Sequence, residues 1–160
     1  MERMMFYGTL TAVLGSGLIA GAFFVFSVAV MPALRRLPAN EGMAAMQSIN
    51  TVIQNPAFLG VFMGTALIAI VLAVMSFLDW RAGASVYILA GAVLYVVGSF
   101  LLTVIFNVPL NNALDAANPT TAAGHEVWNN NSATWTFWNH IRTIASLLAT
   151  AAFALSLRAN

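Results

Sequence analysis

The stretch PAFLGVFMGTALIAIVLAVMSFL, residues 56–78, decides the fold. It carries no charge, opens on a proline and closes against Asp79, Trp80 and Arg81. A helix needs about 20 mostly apolar residues to span a bilayer, so this stretch reads as a membrane span. On its C-terminal side a tight turn, Asp79 to Ala84, leads into a second apolar run, Ser85 to Phe106, and the two form an antiparallel hairpin. On its N-terminal side no charge occurs between Arg3 and Arg35, which gives a span from Met4 to about Val30. A further run, Trp135 to Leu157, ends before Arg158. The expectation is an all-α, integral membrane, antiparallel four-helix bundle. It is one transmembrane domain over residues 1–160, with spans near 4–30, 56–78, 85–106 and 135–157.

Composition supports this. Charged residues are 7% of the chain and apolar ones 61%, against about 25% and about 45–50% in an ordinary soluble domain. The mean hydropathy is +0.86. Too few charges exist to cover a soluble surface. There is no cysteine, which excludes disulfides, thiolate metal sites and a cysteine nucleophile. All six cations are arginine, which excludes a Schiff base and a P-loop lysine. With a net charge of +1 and no basic cluster beyond Arg35-Arg36, nucleic acid is not an expected partner. The lipid bilayer is. Small residues around Ser27, Val28 and Ala29 mimic a signal-peptide cleavage site, but the apolar run is far longer than an h-region of about 7–15 residues. An uncleaved helix is expected.

The two long connections, Met31–Asn55 and Asn107–Thr134, fall on one side of the membrane. Asn40 is a candidate N-cap for a short helix, Glu41 to Gln54. Met43, Met46, Ile49 and Ile53 form its apolar stripe, and Gln47, Asn50 and Gln54 a polar one. Such a helix lies in the interface or folds over the bundle mouth. The distribution of arginines leans towards termini on the cytoplasmic side. Gly17/Gly21 and Gly60/Gly64 satisfy GxxxG. They serve packing within the bundle, or a homo-oligomer face.

Polar side chains are expensive in hydrocarbon, so their positions point towards function. Three clusters lie on the long-loop side. In the last span Trp135, Asn139, Arg142, Thr143, Ser146 and Thr150 share one helix face, with His140 flanking it and Trp138 nearby. Arg142 is either a headgroup anchor within a tryptophan belt or part of an inward cavity, and the polar continuation to Thr150 favours the cavity. At the end of the third span come Asn107, Pro109, Asn111 and Asn112. Asn107 and Asn111, four apart, project from one face if the helix continues past Pro109, which frees the carbonyl of Ile105. Otherwise they cap a helix that stops there. The third cluster is the expected loop Gly124–Trp135, with His125, Glu126 and Trp128. Adjacent His and Glu side chains diverge, so no metal site is expected. Ligation of a haem by one histidine stays open. Asn107 or Asn111 is expected within hydrogen-bonding reach of Asn139 or Arg142, directly or through one water, because buried amides need partners.

Four short spans, the run Phe106–Asn112 (FNVPLNN) and the pattern WxxWNxxRT at Trp135–Thr143 resemble the anthrone-oxygenase-like family of small membrane proteins. The segment from Asn50 to Asn55-Pro56 is also similar to that family. The resemblance implies oxidation of an anthrone to an anthraquinone by dioxygen, in a membrane that for many relatives is the bacterial inner membrane. It also implies an anthrone- or hydroquinone-like aromatic lipophile as ligand and no cofactor. An anthrone has an acidic methylene, and its enolate can pass an electron to dioxygen directly. The chemistry needs an apolar slot, donors for the enolate oxygen and a proton acceptor. Trp128, Trp135 and Trp138 are candidate walls, and Arg142, Asn139, Asn107 and Asn111 candidate donors, with Asn50 beside them. His140, and secondarily His125, is the candidate base. The competing class is a non-enzymatic, lipophile-binding or accessory membrane protein. A transporter lacks an intramembrane acid for ion coupling and an inverted repeat.

Overall fold

The computed structural model describes residues 2–159. Five helices account for most of them. They are α1 (Glu2–Leu34), α2 (Ala39–Ile53), α3 (Pro56–Leu78), α4 (Ala84–Asp115) and α5 (Ala122–Ser156). Among the described residues, α1, α3 and α4 are long and apolar enough to cross a membrane. Their outward side chains are apolar too: Leu18, Leu67, Phe77 and Leu78 are exposed. In water that surface would be costly, whereas in hydrocarbon it is solvated. The chain is an integral membrane protein.

α5 runs for 35 residues but is less apolar, because its inward face is polar. It packs lengthwise against α1 and α4, and α3 packs against the same two helices. The core between them is built on small residues and a few large ones: Ala12, Ala66, Ala69, Ala92 and Ala149 around Ile19, Phe62, Tyr95 and Phe153. Inside it, hydroxyls find partners: Tyr95 Oη donates to Phe62 O at 3.1 Å, Ser146 Oγ to Ser99 Oγ at 3.0 Å, and Thr150 Oγ1 to Ser16 Oγ at 2.9 Å.

Helices α1 and α4 each widen into π-helical turns, at Phe26–Val30 and at Val96–Leu101 and Thr103–Asn107. A proline follows two of these turns, Phe26–Val30 and Thr103–Asn107. Pro32 has no N–H and its ring crowds the carbonyl of Val28; Pro109 does the same to Ile105. Winding the preceding turn wider relieves the crowding without ending the helix. The amide of Met31 accordingly reaches back five residues to Phe26 O, and that of Val108 to Thr103 O.

Four expectations are corrected. The helix that begins near Ser85 does not stop at Phe106 but continues through Pro109 to Asp115. Residues Gly124–Trp135 are helix rather than loop: Thr121 caps the N-terminus by accepting from Gly124 N at 3.1 Å. Gly124, Trp128, Ser132 and Trp135 then continue the buried stripe of α5. Asn40 is not an N-cap, since α2 starts at Ala39 behind Pro38 with no side-chain cap. Of the glycine pairs only Gly17 packs on another helix, with Thr150 3.7 Å from where a Cβ would stand. A Cβ on Gly21, Gly60 or Gly64 would meet open space. Among the glycines that permit close approach between helices are Gly15 against Thr65, Gly91 against Phe153 and Gly98 against Ala145.

The short helix α2 folds over one end of the molecule. Its Gln47 Nε2 donates to Leu114 O and Ala117 O at 2.9 and 3.0 Å, satisfying carbonyls at the end of α4. Asn50 Nδ2 donates to Asp115 Oδ1 at 2.9 Å. Below these bonds Met43 and Met46 pack on Met31, Leu34, Leu114 and Trp128.

Candidate functional site

Arg142 shares a cavity wall with α2 and is only 3% exposed. No carboxylate pairs with it; among the described residues the salt bridges are those of Arg81 with Glu2 and Asp79, at the exposed opposite end. Its guanidinium is held by neutral groups instead. Nη1 donates to Thr103 Oγ1 at 2.9 Å and Nη2 to Asn139 Oδ1 at 2.6 Å. The cation lies over the Phe23 ring, 4.2 Å from its centroid, and 5.4 Å from that of Trp135, a cation–π arrangement on two sides. Nε finds no partner.

The neighbours are fixed by the π turns. Asn139 Nδ2 donates to Phe23 O at 2.8 Å and to Ser27 Oγ at 2.7 Å. Its amide therefore ties the widened turn of α1 to the guanidinium. Thr103 opens the second widened turn of α4, and Asn107 closes it. Asn107 Nδ2 donates to Trp135 O at 3.3 Å, while its Oδ1 is buried without a partner. Asn111, one turn further on, accepts from Trp135 Nε1 at 2.7 Å.

A cavity of about 60 Å³ opens in front of Arg142. Phe23 and Phe26 of α1 line it, with Met46, Ile49, Asn50 and Ile53 of α2, Phe58 of α3, Asn111 of α4 and Trp135 of α5. One water needs about 10–15 Å³, so the space holds a few waters as it stands. Its walls are apolar and aromatic. Its polar groups are one cation and two amides. An anion with a flat apolar body fits that chemistry.

The sequence-derived candidates divide on this geometry. Arg142, Asn111, Trp135 and Asn50 come together on the cavity wall, and Asn139 lies behind it, bonded to Arg142. Asn107 is adjacent, bonded to Trp135. The direct bond from Asn107 or Asn111 to Asn139 or Arg142 does not form: both amides go to Trp135, and Thr103 takes the place on α4 facing Arg142. His140 is exposed on the outer side of α5, about 100° round from Asn139, and does not line the cavity. His125 lies towards the start of α5, with Nε2 2.9 Å from Pro119 O. Trp138 stacks on Phe106, centroids 3.8 Å apart, on the flank of the α4–α5 contact. Trp128 belongs to the apolar cluster under α2. Phe23, Ser27 and Thr103 were missed. Ser27 and Thr103 are isolated hydroxyls in apolar runs, a signal that intramembrane polarity does provide.

Among known families, residues 58–152 match the family model described as anthrone oxygenase. No curated protein and no solved structure matches the chain. The matched region covers more than half of the sequence and includes Thr103, Asn111, Trp135, Asn139 and Arg142; α1 and α2, with Phe23, Ser27 and Asn50, lie outside it. The chain belongs to the anthrone oxygenase family.

Proposed function

We propose that the protein is a membrane-embedded oxygenase that oxidises an anthrone- or hydroquinone-like aromatic lipophile with dioxygen, without a cofactor. In this reading α5 crosses the bilayer as the fourth span of an antiparallel bundle, its polar face turned inward. The observation that carries the proposal is Arg142: a buried cation with no counter-ion, facing an aromatic cavity. An arginine can donate five hydrogen bonds, and two are in use. The free donors suit the oxygen of a delocalised enolate, whose charge forms only as the methylene proton leaves. That proton passes to water at the cavity mouth, since His140 is on the outside. The enolate gives one electron to dioxygen, and the carbon radical and superoxide combine as a peroxide. After protonation, loss of the second C–H proton breaks the O–O bond. The methylene becomes a carbonyl and the second oxygen atom leaves as water. One anthrone and one dioxygen give one anthraquinone and one water.

A specific observation favours a second reading. Arg142 is the sole titratable side chain on the described cavity wall, so the site also suits an accessory protein that holds an anionic lipophile and does not convert it. Dioxygen uptake by detergent-purified protein decides between them. Anthrone should be consumed at one dioxygen per quinone, faster than its background oxidation, and 10,10-dimethylanthrone, which has no acidic hydrogen there, should not. Saturable binding of both with no accelerated uptake would support the accessory protein and contradict the oxygenase.

A further inference from the structure

We infer that the ligand reaches Arg142 sideways, through the seam between α2 and α3, past a gate made of Ile49, Ile53 and Phe58. The inference rests on the cavity being a lipophile site. At about 60 Å³ the cavity is far below the about 300–1,000 Å³ of ordinary small-molecule sites, so a side chain must move before a tricyclic molecule fits.

An open groove of about 380 Å³ lies on the outside of the same seam, between Ser48, Val52 and Asn55 and the three gate residues. Ile49, Ile53 and Phe58 line both the groove and the cavity, so they form the partition between outside and inside. All three are half-buried, as a partition requires. Packing leaves the seam free. α2 is held by the last turn of α1, by the end of α4 and by α5, whereas its packing on α3 is slight. Among the described residues, the hydrogen bonds at this side are local to the corner, from Asn55 Nδ2 to Val52 O and from Phe58 N to Asn55 Oδ1.

The partition also continues inward as a row of rings. Phe58 stacks on Phe62 with centroids 6.1 Å apart. Phe62 meets Phe23 edge-on at 6.3 Å, and Phe23 lies under Arg142 at 4.2 Å. Phe58, Phe26 and Phe23 line the cavity and offer an aromatic ligand offset or edge-on contacts, while the buried Phe62 holds Phe58 and Phe23 from behind. The groove begins at the N-terminal end of α3, where a lipophile dissolved in the bilayer would meet the protein. A flat apolar molecule thus slides from the lipid over Phe58, displaces the isoleucines and meets the guanidinium last.

The test is stopped-flow quenching of tryptophan emission by 9,10-anthraquinone, on wild type, Ile53→Ala, Ile53→Phe and, at a residue lining neither the groove nor the cavity, Leu110→Ala. A gate alters the association and dissociation rates in the same direction. Ile53→Ala should raise both at least threefold and Ile53→Phe lower both at least threefold, whatever the changed cavity wall does to Kd; Leu110→Ala should leave both rates unchanged. If either Ile53 variant fails to fold, Ile49→Val and Phe58→Leu carry the same comparison with smaller effects. Saturable binding with unchanged rates in the seam variants, or faster exchange only in Leu110→Ala, would overturn the gate and leave the lipophile site standing. No saturable binding to wild type would overturn both.

Discussion

At the scale of single residues the molecule tolerates an arrangement that is unfavourable for folding. Removing a charge from water costs several kcal/mol even after relaxation, and Arg142 recovers it only from two neutral acceptors and two rings. Asn139 is the hinge of that recovery. It holds Arg142, Ser27 and the Phe23 carbonyl with one side chain. Asn139→Leu should therefore destabilise the protein by roughly 3 kcal/mol or more, since each buried group left without a partner costs about 1–3 kcal/mol; thermal unfolding in detergent measures it. Trp135→Phe keeps the ring on the cavity wall and loses the bond to Asn111. It should cost only about 0.5–1.5 kcal/mol and leave ligand affinity within a few-fold in a fluorescence titration. Arg142, Asn139 and Trp135 were legible in the sequence because polar or amphipathic groups stand out in an apolar span. The side His140 takes was not, because it depends on how narrow α5's buried stripe is at that turn, which packing decides.

At the scale of elements, two prolines shape the site without touching it. Pro32 and Pro109 follow the widened turns that bring Ser27 and Thr103 to α5. An extra residue in a turn rotates everything beyond it by about 100° relative to a regular helix. Pro109→Ala restores an N–H, removes the clash and lets the turn revert. The restored N–H offsets the bonds lost as Asn107 and Asn111 swing away from Trp135, so the unfolding temperature should change by only a few degrees while dioxygen uptake falls at least tenfold. A parallel loss of stability and activity would contradict this role. The sequence carried part of this pattern. Pro109 signalled a freed carbonyl, but whether the helix would stop or widen depends on the packing of α4 against α5. The start of α5 was opaque for a similar reason. Its run of asparagines, Asn129 to Asn131, reads as loop, and only the buried spacing of Gly124, Trp128 and Ser132 shows the helix.

At the scale of the whole molecule, the long apolar runs determine most of the outcome: helices 1.5 Å per residue in rise, long enough to cross and apolar on their outer sides. If α5 crosses as the fourth span, reporters fused at the N-terminus, after Gly83 and after Ala159 should share one face of the membrane, with a reporter at Glu41 on the other. A reporter after Gly83 on the face of Glu41 would contradict that topology. Gly60 and Gly64 show that spacing alone does not place a contact within the bundle. A GxxxG spacing permits close approach but does not choose a partner, and Gly60 and Gly64 turn away from the bundle. The central claim is that the uncompensated charge of Arg142 lowers the barrier to oxidation of an anionic aromatic lipophile. The most direct measurement is dioxygen uptake with anthrone, at saturating substrate, by wild type, Arg142→Lys and Arg142→Gln proteins of matched thermal stability. Losing a donor to a developing oxyanion typically costs about 100–1,000-fold in rate. Arg142→Gln should fall by that factor, and Arg142→Lys, which keeps the charge but not the planar fork held by Thr103 and Asn139, should land between the two. Wild-type turnover in well-folded Arg142→Gln would contradict the account.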